Sequence, residues 1–298
     1  MKLAQMSRDG ELRLCLFEGD RAIDLNATAA AAGIALPRDM RGAIARMDDL
    51  EDMLRAALPY AVYFAPEGAR FENVLNPPGK LLCVGTNYRK HLLECNMPFP
   101  SAPVLFGKFA NAFAAHGQEI KIPAVTQKAD YECELVLVVG KGGKDIPRDR
   151  ALSHLFGYTC GNDLSARDLQ FVSNQWLIGK TPDSFAPAGP WIVTADEVPD
   201  PGNIDMKLWV NGVLRQQANT RDLIVDIRQM ISIASSASTL YPGDLIATGT
   251  PAGVDKVVDG DVITIEVAHV GRMSVPVVQS KLGANIVFEK PYEFARAH

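Results

Sequence analysis

The stretch that decides the fold is DYECELVLVVG, residues 130–140. Residues 135–139 form an uninterrupted apolar run, which is typical of a strand that is buried on both faces. Glu132 and Glu134 come directly before this run, and because side chains alternate along a strand, both carboxylates point to the same face. Charges at the edge of a core are costly unless something neutralises them. The stretch therefore predicts a buried strand that begins with a pair of acids.

The acid pair has two interpretations. Glu132 and Glu134 could be solvated at a half-exposed strand start, which is the more common situation for two acids. They could instead be ligands of a hard divalent cation such as Mg²⁺, which prefers oxygen ligands and would require a third acid nearby. Asp163, in GYTCGNDLSARDLQ at residues 157–170, is a candidate for that third acid. Taken alone, its position slightly favours a helix N-cap.

Composition limits the possible classes of protein. The 298 residues suggest one large domain or two, and 47% apolar with 22% charged residues is ordinary for a globular protein. The net charge of −5 and the scattered basic residues argue against a nucleic-acid partner. We expect neither a secretory signal nor a membrane span, since no apolar run has the required character or length. Five scattered cysteines indicate reduced thiols and a cytoplasmic location.

The pattern along the chain indicates two parts. Residues 1–75 are predicted to form a small α/β domain, with a hairpin that turns at residues 18–20 and a helical apolar spacing at residues 37–58. The sequence LNPPGK, residues 75–80, is typical of a boundary. Residues 76–298 are predicted to form the catalytic domain.

The second part is richer in strands. LLCVG is predicted to be a short buried strand, and DMKLWVNGVLRQQ a hairpin, because Asn211 and Gly212 suit a type I′ turn. DVITIEVAHVGRMSVPV indicates another hairpin that turns near Gly271, and residues 221–239 have the spacing of a helix. The fold class is therefore α+β and mainly β.

A second candidate pair lies in VGTNYRKHLLEC, residues 84–95. His91 and Glu94 are three residues apart and lie on one face if the segment is helical. A carboxylate beside an imidazole orients the ring and raises its basicity, which suits a general base that acts on water. Spacing alone favours the alternative, a surface helix with one salt bridge.

Two lysines and a glycine-rich turn are further candidates. Lys108 and Lys180 lie among apolar and small residues, where each could hold a carboxylate or a developing enolate, or could extend to the surface. YPGDLIATGTPAGV indicates a strand that ends in a turn, where the amides of Gly249 and Thr250 could face an anion or could simply form a tight turn. The sequence has no G-x-S-x-G and no H-E-x-x-H, which argues against standard serine hydrolases and zincins.

Five of these stretches occur in a specific order: NYRKHLLE, YECELVLVVG, GNDLSARDLQ, GKTPDSFAPAGPWIVT and PGDLIATGTPAGV. In this combination the chain resembles the fumarylacetoacetate hydrolase family over about residues 80–267. The N-terminal part is similar to the small leading domain of longer bacterial members. The resemblance implies that the second domain is a mixed β-sandwich roll and that the protein is a homodimer.

The resemblance also implies a set of site residues. Glu132, Glu134 and Asp163 would bind Mg²⁺ or Mn²⁺. His91 and Glu94 would form a dyad on a short helix that closes over the substrate. The remaining family positions are Lys180 near the reacting group, Arg167 and Gln170 in the pocket, and Thr250 of the glycine-rich turn facing the substrate. Lys108 corresponds only weakly.

The function implied is hydrolysis of a C–C bond in an acylpyruvate-like or other dioxo acid, through a metal-bound enolate. Because the same enolate serves other reactions, the alternative is a decarboxylase or isomerase of an unsaturated 2-oxo diacid in aromatic catabolism. A non-catalytic binding protein on the same scaffold is disfavoured, since His91 and Glu94 are both present. The expected partner is a small oxo acid.

Overall fold

The computed structural model describes residues 1–65 and 67–281, and strands predominate in it. In chain order, the strands are β1 Lys2–Arg8, β2 Glu11–Glu18, β3 Arg21–Asp24, β4 Tyr63–Phe64, β5 Arg70–Phe71, β6 Leu81–Gly85, β7 Val104–Lys108, β8 Phe113–Ala114, β9 Ile120–Ile122, β10 Ala129–Asp130, β11 Cys133–Val139, β12 Leu155–Asn162, β13 Ser165–Ala166, β14 Ala186–Thr194, β15 Asp205–Val210, β16 Val213–Asn219, β17 Leu245–Ala247, β18 Val262–Val267 and β19 Gly271–Gln279. The predicted α+β, mainly β class is confirmed.

The helices are short. They are α1 Leu25–Ala32, α2 Met40–Ala45, α3 Leu50–Ala57, α4 Arg89–Glu94, α5 Arg167–Gln170, α6 Leu177–Lys180 and α7 Ile227–Ala237. Five 3₁₀ turns are also present in the described residues, at Leu58–Tyr60, Ala110–Ala112, Arg148–His154, Ala195–Glu197 and Thr220–Asp222. Within residues 1–65 and 67–281, no helix combines the length and apolarity needed to span a membrane.

Two predicted helices are shorter than their apolar spacing suggests. The stretch at residues 37–58 is divided into α2 and α3, because Asp48 and Asp49 are poor helix formers and Asp49 accepts a hydrogen bond from Arg46 Nε at 2.9 Å. In the stretch at residues 221–239, α7 begins only at Ile227. The reason is that Asp226 is its N-cap and accepts from the amide of Gln229 at 2.9 Å.

Within residues 1–65 and 67–281, two large mixed sheets form the sandwich. The larger has twelve strands, with the main order β4-β3-β2-β1-β14-β12-β11-β17-β6-β7, and the smaller has the order β16-β15-β18-β19-β9. Most neighbours are antiparallel, while β17 runs parallel to β6 and β19 parallel to β9. The predicted hairpin at Asn211 and Gly212 is present, and both residues have positive φ, 50° and 77°, as a type I′ turn requires.

Strand β11 lies at the centre and is buried on both faces, as its apolar run predicts. Leu135, Leu137 and Val139 belong to the core between the two sheets. Val136 and Val138 belong to a second core on the opposite face of the larger sheet, which the N-terminal helices cover. Each face of the strand is therefore packed, and its acidic start lies at the edge of this core.

The N-terminal segment continues the larger sheet. Strand β1 pairs with β14 through Lys2–Val193 and Leu3–Ile192, and the second core combines residues from both segments of the chain. The division at residues 1–75 and 76–298 stays a prediction, and its last part, from residue 282 onward, lies outside the described residues. The sheet itself does not stop at residue 75.

Candidate active site

Strand pairing brings the three predicted metal ligands together. Strands β11 and β12 pair with Cys133 opposite Asn162, so Glu132 and Asp163 lie next to each other at one edge of the sheet. The amide of Asp163 donates to the carbonyl of Glu132 at 3.0 Å. Carboxylate oxygens of Glu132, Glu134 and Asp163 all lie within 4.8 Å of one another, and all three residues are buried. The solvated interpretation of the acid pair is thus wrong.

Asp163 is not a helix N-cap, contrary to what its position alone favoured. It follows β12, and helix α5 begins only at Arg167, with Ala166 in the capping position. The carboxylate instead contacts two buried ammonium groups. Its Oδ1 accepts from Lys108, and its Oδ2 accepts from Lys180 at 2.8 Å.

Cationic side chains surround Glu132. Lys180 Nζ donates to Glu132 Oε2 at 2.7 Å, and Arg167 NH2 lies 2.6 Å from Glu132 Oε1. Burial opposes ionisation, but Lys180 and Arg167 hold the pKa of Glu132 well below its usual range. Burial alone would lower the pKa of Lys180, but Asp163 and Glu132 raise it above its usual range. Both groups are therefore charged at neutral pH.

Glu134 has a different environment. No cationic side chain in the described chain forms an ion pair with it, and its Oε2 accepts only from the amide of Gly249, at 2.8 Å. Burial and the charges of Asp163 and Glu132 raise the pKa of Glu134 well above its usual range. A divalent cation would remove this uncompensated repulsion. The all-oxygen donor set thus fits a hard divalent cation such as Mg²⁺ or Mn²⁺.

Two charged members of this cluster were missed or only weakly inferred from the sequence. Asp130 accepts from Arg167 Nε at 2.7 Å, and burial raises its pKa to about 6 against the effect of Arg167. It stands two residues before Glu132, so the spacing of three acids was a visible signal. Lys108 is fully enclosed and also donates to the carbonyls of Leu164 and Phe185. No local pattern pointed to these contacts.

The predicted pair of His91 and Glu94 lies on α4. His91 Nδ1 is 3.5 Å from Glu94 Oε2, and Glu94 also accepts from the amide of Gly253 at 2.9 Å. His91 is buried, whereas Glu94 is more exposed. Burial lowers the pKa of His91 despite the nearby Glu132, so the imidazole is neutral and able to accept a proton at neutral pH.

One cavity of about 410 Å³ joins these groups. Nine of the ten predicted site residues line it: His91, Glu132, Glu134, Asp163, Arg167, Gln170, Lys180, Gly249 and Thr250. Glu94 is not a lining residue, but it contacts His91, which is one. Met97, Phe171 and Trp176 add an apolar wall that the sequence did not reveal. The roles of the ten residues stay predictions, but the fold brings them to one place.

The glycine-rich turn supports a candidate metal ligand. The amide of Gly249, a residue that lines the cavity, donates to Glu134 Oε2 at 2.8 Å, so the anion that this amide faces is a carboxylate of the protein itself. Thr250 Oγ1 accepts from Gln216 Nε2 at 2.9 Å, which leaves its own hydroxyl hydrogen free to point elsewhere. Asn87 donates to the carbonyl of Thr248 at 2.8 Å and fixes the turn from the other side. Neither Gln216 nor Asn87 was predicted to support the turn, although Asn87 begins the motif NYRKHLLE.

We expect Gly249→Ala to destabilise the protein and to weaken divalent-cation binding. Gly249 has a φ of +99°, and a Cβ there would lie 2.7 Å from Asn87 Cβ and 2.8 Å from the carbonyl oxygen of Val84. The matched control is Gly212→Ala, with a φ of +77° but no atom within 4 Å. Strain alone should cost the control about 1–2 kcal/mol. The crowded site should cost about 1–3 kcal/mol more.

Denaturant unfolding and cation titration of both variants measure these effects. Equal free energies of unfolding, with unchanged cation affinity in Gly249→Ala, would mean that the turn adapts and does not position Glu134.

Comparisons with a family model and with curated proteins agree on the family of this chain. A family model described as the C-terminal part of fumarylacetoacetate (FAA) hydrolase matches residues 80–278. The mitochondrial oxaloacetate tautomerase of Xenopus laevis is 37% identical over 293 residues, which cover 93% of this chain and 90% of that protein.

Solved structures of other enzymes are also similar. The maleylpyruvate hydrolase of Sphingobium sp. SYK-6, determined with a manganese(II) ion and pyruvate, is 37% identical, with a TM-score of 0.81 and coverage of 94% of this chain and 100% of that one. A 5-carboxymethyl-2-hydroxymuconate delta-isomerase from Mycobacterium smegmatis is 31% identical, with a TM-score of 0.75 and coverage of 95% and 100%. A tautomerase, a hydrolase and an isomerase thus share this architecture.

Proposed function

Because the chain belongs to the fumarylacetoacetate hydrolase family, we propose that it is a divalent-metal-dependent enzyme that hydrolyses a C–C bond in an acylpyruvate-like or other dioxo acid. One observation carries the proposal: the carboxylate cluster and the pair of His91 and Glu94 line or adjoin one cavity. The first group suits a hard cation, and the second suits activation of water.

Glu132, Glu134 and Asp163 are the residues that would hold Mg²⁺ or Mn²⁺. When bound, such an ion supplies Lewis-acid polarisation of a substrate carbonyl. The similar maleylpyruvate hydrolase structure contains manganese(II) and pyruvate, which supports a 2-oxo acid as the substrate portion near these carboxylates. Both Mg²⁺ and Mn²⁺ accept carboxylate oxygens, so the donor set suits either ion.

His91 would act as the general base. Its Nδ1 faces Glu94, so Nε2 is the nitrogen that would accept a proton from water. The oxygen of that water forms a bond to the distal carbonyl carbon. The bond between this carbon and the neighbouring carbon then breaks, and the electron pair of the broken C–C bond passes to the departing enolate. That enolate then takes a proton at carbon to give the 2-oxo acid. Glu94 stabilises the imidazolium that exists between these steps.

The remaining residues would position and stabilise charge. Lys180 keeps its proton because of Glu132 and Asp163, so it presents a fixed positive charge toward a developing enolate. Arg167 holds Glu132 and Asp130 in place and also donates to Gln170 Oε1 at 3.0 Å. Thr250, held by Gln216, can donate its hydroxyl hydrogen to a substrate oxygen. Closure of α4 over the substrate, a homodimeric state and a cytoplasmic location stay predictions.

A second candidate reaction is isomerisation or tautomerisation of a 2-oxo diacid. The similarity to an oxaloacetate tautomerase over 93% of this chain, and to a muconate isomerase, favours it specifically. The same residues could serve, because His91 would then move a proton between substrate carbons or oxygens instead of taking it from water.

A substrate panel tests the proposal. The purified protein with Mg²⁺ or Mn²⁺ is incubated with acylpyruvates, oxaloacetate and unsaturated 2-oxo diacids, and the products are identified by mass. We expect two acids whose summed mass equals substrate plus water, lost on exhaustive chelation and restored by the metal. A product of unchanged mass would favour the isomerase instead, and release of CO₂ would indicate a decarboxylase. Full turnover with metal absent by elemental analysis would contradict metal dependence.

A further inference from the structure

The exposed end of α4 carries three different ligand groups at the rim of the cavity. His91 Nδ1 lies 3.5 Å from Glu94 Oε2, and Cys95 Sγ lies 3.8 Å from Nδ1 and 3.9 Å from Nε2 of His91. One ligand atom from each residue lies within 4.8 Å of the others. The reaction proposed above uses His91 and Glu94 and leaves Cys95 without a role.

These separations are close to those of a tetrahedral metal site. Zinc bonds of about 2.0–2.1 Å to nitrogen and about 2.3 Å to sulfur place neighbouring ligand atoms about 3.3–3.6 Å apart. Cys95 Sγ is almost equally distant from the two ring nitrogens, at 3.8 and 3.9 Å. Cys95 is exposed, so rotation about its χ1 can bring the sulfur closer to a cation bound at Nδ1.

We propose that His91, Glu94 and Cys95 form a second cation site, which binds Zn²⁺ or another borderline-soft divalent ion. The thiol, imidazole and carboxylate donors differ in kind from the all-oxygen cluster of Glu132, Glu134 and Asp163. Soft and borderline ligands select Zn²⁺ over Mg²⁺, whereas the oxygen cluster selects the harder ion. The two sites therefore discriminate between cations through their donor atoms.

The other four cysteines are buried in the core, so Cys95 is the accessible one. A cation on His91 would occupy a nitrogen lone pair and prevent proton transfer. This inhibitory effect rests on the proposed function, whereas binding itself does not.

Cobalt titration of the Mg²⁺-loaded protein tests the site. Co²⁺ takes the place of Zn²⁺ and gives a thiolate-to-cobalt charge-transfer band in the near ultraviolet only when sulfur is a ligand. We expect this band to saturate at one Co²⁺ per chain and to disappear on addition of Zn²⁺. It should be lost in Cys95→Ser and kept in Cys160→Ser, a matched change at a buried cysteine outside the cavity. A wild-type protein without the band, or a Cys95→Ser protein that keeps it, would overturn the proposal.

A turnover measurement separates the site from its effect. Added Zn²⁺ should inhibit the Mg²⁺-loaded wild-type enzyme. For the same fractional loss of its own uninhibited rate, Cys95→Ser should require a Zn²⁺ concentration at least about 10-fold higher than the wild type requires. Thiolate-bound cobalt without any inhibition by Zn²⁺ would leave the second site established and would contradict the proposed role of His91 as the base.

Discussion

Replacement of Asp163 by alanine is expected to abolish binding of Mg²⁺ or Mn²⁺ and turnover, and to lower the free energy of unfolding by about 3–5 kcal/mol. The carboxylate contacts Lys108 and Lys180, whose side chains are 0% and 2% exposed. Its removal leaves two buried ammonium groups with one fewer anion, which is far more costly than loss of an N-cap at about 1 kcal/mol. Calorimetric cation titration, turnover and denaturant unfolding measure the three effects.

A matched control separates loss of a ligand from loss of stability. Asp244 is equally buried, but its ion-pair partner Lys80 is 37% exposed, and it lies at the opposite end of β17 from Gly249. It also accepts from the amides of Lys80 and Tyr241 at 2.8 and 2.7 Å. Asp244→Ala should therefore destabilise the protein by about 1–3 kcal/mol, because it leaves these amides without their acceptor, and should keep the affinity for Mg²⁺ or Mn²⁺.

Asp163→Asn is the milder variant at the site itself, because it keeps the side-chain shape and one oxygen acceptor. It should fold better than Asp163→Ala and still bind the cation about 100-fold more weakly or worse. Wild-type cation affinity in folded Asp163→Asn would contradict the assignment of Asp163 as a ligand.

The periodicity of the sequence predicted which side chains share a face within one strand or one helix. The alternation of side chains in an extended chain placed Glu134, in β11, and Glu132, just before β11, on one face, and both residues line the cavity. The three-residue spacing of His91 and Glu94 predicted their contact on α4 in the same way. Both predictions depend only on the geometry of one element, which is why they are confirmed.

Contacts between different strands and helices could not be predicted from the periodicity of one element. Asp163 joins the cluster through the register of β11 with β12. The preference of a single residue for the N-cap position gives no information about how two strands pair. Lys108 and Asp163 are separated by 55 positions in the sequence. Gln216 lies in a strand with mostly exposed side chains, yet it is buried and bonded to Thr250. Only the ordered motifs of a whole family, taken together, predicted most of the cavity.

His91→Ala should lower kcat by roughly 10²-fold or more and leave KM and the affinity for Mg²⁺ or Mn²⁺ nearly unchanged, as expected when a general base is lost. Glu94→Gln should have a smaller effect. Glutamine keeps an oxygen that can accept from the amide of Gly253, so the change removes only the charge that orients and stabilises the imidazole. Steady-state kinetics of both variants and of the double variant give the comparison.

The double variant decides whether His91 and Glu94 act as a unit. If Glu94 acts only through the ring, the double variant should be hardly slower than His91→Ala, because the function is lost once. His116→Ala is the control for loss of a histidine, because His116 lies outside the cavity and accepts a hydrogen bond from the amide of Ser274 at 3.0 Å. A raised KM with unchanged kcat in His91→Ala would make His91 a substrate-binding group. Kinetics equal to the wild type in both single variants would reduce the pair to a structural salt bridge.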